Sequence, residues 1–403
     1  RIIPAAAGGG FGSKLDLSLQ PLIGLVALKT GQPARMIYSR SESMASTTKR
    51  HPAKMTATIG ADENGRVTAM TFDGDFNTGA YASWGPTVAN RVPIHASGPY
   101  ATKDYRANSV AVHTNAPPAG AFRGFGVPQS AVAQECAFDL LAEKVGMDRL
   151  AFRRLNTLKN GVPTVTGQVF NSGVGIDDCF AALENSWHAA VLSAASFNQT
   201  AISDNSPWRK GVGIASCWYG CGNTSLPNPS TMRMGITADG RIVLHQGAMD
   251  IGQGANTVIT QIAADAFGVP VHDVQILGGD TDLTPDCGKT SASRQTFVSG
   301  KAAMLSGMAL REMVLRHGNV DANAKIAFDG AALTLADNVG GTLRIALADM
   351  PVNDYGYVFM GEETYDPPTS PLDEKGQGIP YAVFGYGAQI VELSVDAALG
   401  RVR

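Results

Sequence analysis

The feature that most limits the fold of this chain is a strand, a tight turn and a return strand that occur once in each half. Residues 53–59, the turn Asp62-Glu63-Asn64-Gly65 and residues 67–72 make the first copy; residues 232–237, the turn Asp239-Gly240 and residues 241–245 make the second. Acidic or amide residues followed by glycine tolerate the left-handed backbone that joins two antiparallel strands, so each copy reads as a β-hairpin. Helical patterns alternate with the hairpins. Apolar residues between positions 15 and 28 predict a mostly buried helix that stops at Thr30-Gly31-Gln32-Pro33. Residues 128–145 predict a second, with proline in its first turn, and residues 255–267 a third, stopped by Gly268 and Pro270. Strands and helices alternate in both halves without a strict βαβ period, which predicts two mixed α/β (α+β) domains. The polar run 196–207 is the best boundary, giving one domain at 1–200 and another at 206–403.

The ends and the composition add further expectations. The chain opens on a strand-like segment entering a glycine loop, and a third turn at 396–400 is cut off soon after Arg401, so both ends are expected to belong to a longer polypeptide. The stretch 366–380, rich in proline and glycine, reads as a long surface loop. A hydrophobic share of 44% with 17% charged residues and a net charge of -3 is the profile of a compact chain with no basic patch for nucleic acid. The apolar stretch at 21–28 is far too short to cross a bilayer, so no membrane partner is expected. The five cysteines lack the clustered spacings of zinc or iron–sulfur sites, and a reducing, cytoplasmic compartment fits them best. No histidine pair brackets a glutamate at helical spacing, so any metal is expected to arrive on a cofactor.

Four segments carry the chemistry. Gly8-Gly9-Gly10-Phe11-Gly12-Ser13-Lys14 leads from a strand into a helix and resembles a phosphate loop, without the spacing of a Walker A motif. Ala119-Gly120-Ala121-Phe122-Arg123-Gly124-Phe125-Gly126 sets an arginine among small residues ahead of a helix, where a guanidinium suits a carboxylate, a phosphate or a developing oxyanion. Gly252-Gln253-Gly254 opens a helix and places a glutamine amide beside free backbone N–H groups. Thr290-Ser291-Ala292-Ser293-Arg294-Gln295 puts hydroxyls beside a cation and an amide, which is the chemistry a pyrophosphate asks for. Each also has a plainer reading: a strand-to-helix turn, an arginine bonded to backbone carbonyls, an N-terminal turn and a capping box.

Taken together and in this order, the four segments resemble the molybdopterin-binding motifs of the molybdenum hydroxylase family, that of xanthine dehydrogenase and aldehyde oxidoreductase. The similarity extends to Asn77-Thr78-Gly79-Ala80-Tyr81, to the helix at 135–147 and to Tyr386-Gly387-Ala388-Gln389. It implies a molybdenum cofactor held as molybdopterin, in the cytosine dinucleotide form of bacterial relatives. It implies that the backbone at Gly10, Phe11 and Gly12 meets the apical metal ligand, and that Gly120, Ala121, Phe122 and Arg123 line the metal face. Arg123 would orient substrate or stabilise charge on it, and Gly252 and Gln253 would approach the metal's oxo group and the pterin; Arg123 and Gln253 are the catalytic candidates. Thr290, Ser291, Ala292, Ser293, Arg294 and Gln295 would wrap the pterin and its phosphates. The implied reaction hydroxylates an electron-poor carbon of a purine-like N-heterocycle or an aldehyde with oxygen from water, and electrons leave to iron–sulfur and FAD partners.

The chain departs from that pattern in two places. The family's general base is a glutamate in a Gly-x-Gly-Glu segment after Tyr-Gly-Ala-Gln, and no such glutamate is present; Gly361-Glu362 lies upstream instead. The base is expected beyond Arg403 or on a second molybdopterin-binding chain, so the 403 residues alone are expected to be inactive. Xanthine-oxidising members carry a glutamate after the lysine of the glycine motif, and here Leu15 stands there, which puts xanthine binding of the usual kind in doubt. The runs Pro285-Asp286-Cys287-Gly288-Lys289-Thr290 and Asn115-Ala116-Pro117-Pro118 are most similar to the bacterial branch of purine hydroxylases and nicotinate dehydrogenase. Leu15, Trp218 and Tyr219 are the substrate-pocket candidates, with a packed core strand as the other reading of the aromatic pair. The competing functions are another molybdenum reaction on the same scaffold and a non-catalytic cofactor-binding or structural module. Carbon monoxide oxidation is disfavoured because no cysteine lies between Tyr81 and Cys136.

Overall fold

The computed structural model describes residues 1–337 and 340–403. Two compact units share the chain discontinuously: the first is Phe11–Gly220 with Ser370–Arg403, the second Cys221–Thr369 with Arg1–Gly10. This differs from a division at the polar run 196–207. A single helix of the first unit continues through residue 203, and its Asn198 side chain clamps the next strand, accepting from Lys210 N at 2.7 Å and donating to Lys210 O at 2.9 Å. The polar letters there are an exposed helix face and a clamp.

The first unit begins with two helices, α1 (Gln20–Thr30) and α2 (Arg40–Ser46). The expected hairpin follows as β1 (Ala53–Ala61) and β2 (Val67–Gly79), turned at Gly65 with φ 80°. Helix α3 (Gly85–His95) returns the chain to β3 (Asp104–His113), parallel to β2, which makes a sheet of order β1-β2-β3. Helices α4 (Val127–Lys144), α5 (Arg149–Asn156) and α6 (Ile176–Ser203) then lead to β4 (Trp208–Gly220). Phe72, Phe76 and Val92 fill one core, and in another Tyr100 stacks on Phe138 at 4.2 Å. Each fully buried aromatic contributes roughly 1.5–3 kcal/mol of transfer free energy. Beside them the buried carboxylate of Glu135 accepts from Arg153 Nε at 2.7 Å, Tyr100 OH at 2.9 Å and Ser216 OH at 2.6 Å. Helix α1 is not the buried helix that its sequence suggests: it contains no buried residue, and Leu28 is 83% exposed, because nothing among the described residues covers it.

In the second unit the other hairpin forms from β5 (Ser230–Thr237) and β6 (Ile242–Gln246), with Gly240 at φ 83°. Helix α7 (Ala255–Phe267) has the bounds its pattern predicts and ends on Gly268. It is followed by β7 (Val274–Gly278), by a wide π-helical turn Gln295–Ser299 that runs straight into α8 (Gly300–Gly318), and by the antiparallel β8 (Lys325–Asp329), β9 (Ala332–Ala336) and β10 (Thr342–Ala346). Strand β11 (Tyr357–Tyr365) completes a sheet of order β11-β5-β6-β7. Met232, Leu244, Ile259, Phe267 and Leu310 join its sheet and helices in one core.

The chain then returns to the first unit through a loop to β12 (Phe384–Asp396), which pairs antiparallel with β4 along its whole length, and β13 (Arg401–Val402) supplies a short return strand.

Candidate functional site

In the first unit the glycine loop and the arginine segment interlock. Phe11 takes a left-handed φ of 54°, and its carbonyl accepts from Arg123 N at 2.8 Å. Gly12, at φ 98°, lies so close to the second segment that a Cβ would sit 2.4 Å from Ala121 O, so only glycine fits. Gly120 is equally crowded: a Cβ there would meet Ser83 Oγ at 2.1 Å and Thr48 Cγ2 at 3.0 Å. Phe122 is covered by the Arg50 guanidinium at 4.7 Å, and Arg50 Nη2 donates to Arg123 O at 2.6 Å. These contacts fix the backbone of 120–123 while Arg123 itself is exposed, its guanidinium making no hydrogen bond or ion pair among the described residues. An uncommitted cation on an immobilised backbone is free to meet an anionic or polarised group.

A cleft of about 530 Å³ opens in the same unit, lined by Leu15, Asp16, Thr48, Tyr81, Ser83 and Trp84 among others. Leu15, one of the three pocket candidates, lies here. Trp218 does not: it is buried, stacks on Phe384 at 4.4 Å and donates its indole N–H to His95 O at 3.1 Å. Tyr219 is half-buried beneath the Arg91 guanidinium, 4.8 Å from its ring, with its hydroxyl accepting from Arg91. The alternating side chains of β4 turn Trp218 into the core, which a single strand read without its partner does not reveal. His51, a few residues beyond Thr48, is neutral at physiological pH because burial and then the Arg50 charge push its pKa down to about 4.

In the second unit Gly9 N donates to Ile251 O at 2.8 Å, which sets Gly10 against the Ile251 side chain. The N-terminus of α7 is not an open seat of free N–H groups. Asp250 caps it, accepting from Asn256 N at 3.0 Å, Gly252 N at 2.8 Å and Gly254 N at 3.4 Å, and these bonds hold its carboxyl below the usual carboxylate range. Gln253 folds back on the same loop: Oε1 accepts from Ile251 N at 2.7 Å and Nε2 donates to Met249 O at 3.1 Å, which leaves one amide proton. Thr290 Oγ1 donates to the same Met249 carbonyl at 2.8 Å, and Gln295 Nε2 donates to Lys289 O at 3.1 Å. Residues 249–253 and 290–295 thus form one cluster.

Arg294 is corrected from an anion-binding cation to a structural one. It is buried, and its guanidinium is spent on Asn228 Oδ1, Asn228 O, Pro229 O and Cys287 O. What the loop offers instead is the hydroxyls of Ser291 and Ser293, which make no hydrogen bond among the described residues, on a stretch with two left-handed residues, Ala292 and Ser293. They stand just ahead of the helix that starts at Gln295, whose N-terminal dipole favours a phosphate. These groups fit a phosphorylated pterin, and among the described residues no three His, Cys, Asp or Glu side chains gather as a metal site. Sequence reasoning missed Asp250, Thr48, Asp16 and Ser83; only Asp250 left a readable signal, an aspartate two and four residues ahead of glycines.

Comparison with known proteins identifies the kind of domain. Residues 1–157 match one family model described as a molybdopterin cofactor-binding domain, and residues 182–403 match a second of the same description. The chain is 30% identical over 409 residues to the xanthine dehydrogenase molybdenum-binding subunit of Escherichia coli, covering 100% of this chain and 52% of that protein. It is 45% identical over 176 residues to the nicotinate dehydrogenase large molybdopterin subunit of Eubacterium barkeri, covering 44% of this chain and 41% of the relative. The aldehyde oxidoreductase structure from Desulfovibrio desulfuricans superposes with a TM-score of 0.84 at 26% identity, over 98% of this chain and 40% of that one. The chain therefore spans about half the length of the curated relatives it matches, and with both molybdopterin cofactor-binding domains in place it belongs to the molybdenum hydroxylase family of xanthine dehydrogenase and aldehyde oxidoreductase.

Proposed function

We propose that the chain is the molybdopterin-holding catalytic portion of a hydroxylase that oxidises a purine-like N-heterocycle or an aldehyde with oxygen from water. The observation that carries this reading is the Arg123 guanidinium, uncommitted among the described residues on a backbone pinned by Phe11 and Gly12. When bound, the cofactor supplies the oxygen-transfer and two-electron redox chemistry. In the first unit, the backbone of Phe11, Gly12 and Gly120 to Phe122 would meet the cofactor, and Arg123 would orient substrate and offset charge that develops on it. Taken by itself, the second unit offers the remaining Gln253 amide proton and the hydroxyls of Ser291 and Ser293, which would donate to a pterin and its phosphates, with a cytosine dinucleotide as the form.

The general base comes from outside these residues. Glu362 is unsuited to the role because its carboxylate is bound to Arg233 Nε at 2.6 Å on the β5–β11 pair. The apolar residues that α1 leaves exposed, Leu22, Leu25, Val26 and Leu28, form the face on which the rest of the molybdenum-binding polypeptide packs, whether in cis or as a second chain. Iron–sulfur and flavin partners then accept the electrons in the cytoplasm. Molybdenum by elemental analysis and pterin by fluorescence after oxidation, on the full protein with whatever co-purifies, test the reading. About one molybdenum and one pterin per chain is the expected result, and a full-length protein devoid of both would refute it.

A further inference from the structure

We propose that Arg50 is a positioning residue for Arg123: its planar fork fixes the Arg123 carbonyl and so sets the direction in which the Arg123 guanidinium projects. The inference rests on the hydroxylase reading and deepens the role given there to Arg123. Arg123 carries two backbone bonds, one on each side of its Cα. Its N–H donates to Phe11 O at 2.8 Å, and its carbonyl accepts from Arg50 Nη2 at 2.6 Å and from no other donor among the described residues. Gly124 follows at a left-handed φ of 89°, and without a side chain it leaves the peptide between them easy to rotate. With the Arg50 bond removed, Arg123 is held only from the Phe11 side, and its Cα–Cβ direction is free to turn.

Three contacts hold Arg50 in place for this task. Besides the bond to the carbonyl, its Nη1 donates to Gln129 Oε1 at 3.4 Å in the first turn of α4, and its guanidinium lies 4.7 Å from the centre of the Phe122 ring. Gln129 is anchored in turn, donating to His51 O at 3.1 Å. The backbone just before Arg50 is pinned to the same stretch: Lys49 N donates to Pro118 O at 3.0 Å, and Gly120 N donates to Lys49 O at 3.1 Å. Arg50 is partly buried and makes no ion pair among the described residues, and its burial pushes its pKa below the usual arginine value. A desolvated cation with no carboxylate beside it directs its charge at the carbonyl and the ring, and a charge-assisted hydrogen bond is about twice as strong as a neutral one. A planar guanidinium meets all three partners at once, whereas a lysine ammonium acts as a point charge on one of them.

The test is a double-mutant cycle of Arg50→Met and Arg123→Gln in the full-length, cofactor-loaded protein, read by amide hydrogen exchange of residues 120–126 and by turnover of hypoxanthine and benzaldehyde. Arg50→Met is expected to speed exchange across 120–126 at least about tenfold, while the amides of α6 keep the parent rate. It is expected to lower kcat/KM roughly tenfold or more, because a small misplacement of a group near the chemistry is that costly. In the Arg123→Gln background the same change is expected to cost less than about twofold, since the group that Arg50 aims is already gone. Arg50→Lys should recover little of either loss, and it carries the same readings should Arg50→Met not fold. Unchanged exchange at 120–126, an equal fall in kcat/KM in both backgrounds, or full recovery with lysine would overturn the proposal. A protein that holds no molybdenum and turns over neither compound instead sinks the hydroxylase reading, and the exchange rates then still decide whether Arg50 sets this backbone.

Discussion

Replacing Gly12 with alanine introduces one methyl group at the point where the two interlocked backbones of the first unit touch. The new Cβ would lie 2.4 Å from Ala121 O and 2.7 Å from its carbonyl carbon, so the segments must separate by more than half an ångström to reach even a tight contact. The residue would also have to keep a φ of 98°, which costs an alanine on the order of 1–3 kcal/mol. Forced overpacking of this kind costs a further ~1–3 kcal/mol. A total near 3 kcal/mol corresponds to a fall in melting temperature of roughly 6–12 °C for a unit of this size. Opening the gap also strains the Arg123 N to Phe11 O bond, so cofactor retention should fall with stability. The assay is the melting transition by circular dichroism together with molybdenum per chain, with Gly8→Ala as the control, since a Cβ at Gly8 meets nothing within 4 Å. A Gly12→Ala protein that melts within about 2 °C of the parent and keeps its full molybdenum would refute the reasoning.

Arg123→Gln should leave the urea midpoint unchanged, since the guanidinium has no partner among the described residues, and should lower kcat/KM for the hydroxylase reaction about 100-fold; steady-state kinetics beside a denaturation curve check both. Arg153→Met should destabilise the first unit by about 3–5 kcal/mol because it strands the buried Glu135 carboxylate, whereas Arg153→Met with Glu135→Leu should recover much of that loss in the same urea titration. His51 and His95 are both held below 6.5 by burial, with Arg50 and Arg91 adding to it, at about 4 and about 3. Both are neutral when folded, so the unfolded chain binds more protons below pH 6.5 and stability should decline as pH falls toward 4. His51→Gln should flatten that decline, and a urea midpoint identical at pH 7 and pH 5 in the parent would count against it.

Local signals carried into the structure well. The 3.6-residue pattern and the Gly268 stop set the bounds of α7, and the Asp-Glu-Asn-Gly and Asp-Gly turns set both hairpins, because each of these depends on a few neighbouring residues. The glycine loop meets another backbone segment at Gly12, where the neighbour is a carbonyl of the chain itself. What the sequence hid was set by distant partners. Arg294 is committed to carbonyls as far away as Asn228, and Trp218 faces the core because β12 pairs with β4. Helix α1 reads as buried from its letters and is bare because nothing among the described residues covers it. Thr48, Asp16 and Ser83 belong to no motif and meet only through the fold around Gly120.

The pairing of β4 with β12 also bears on how the chain is made. Strand β4 leaves the ribosome with its edge open, and its partner appears only after the whole of Cys221–Thr369 has been synthesised. At about 5–20 residues per second this interval is on the order of ten seconds. During that time an unpaired strand of thirteen residues, Trp208–Gly220, offers its backbone to any other extended chain. Early folding of the inserted second unit shortens the distance over which β12 must search, so its stability governs the yield of the first unit as well as its own.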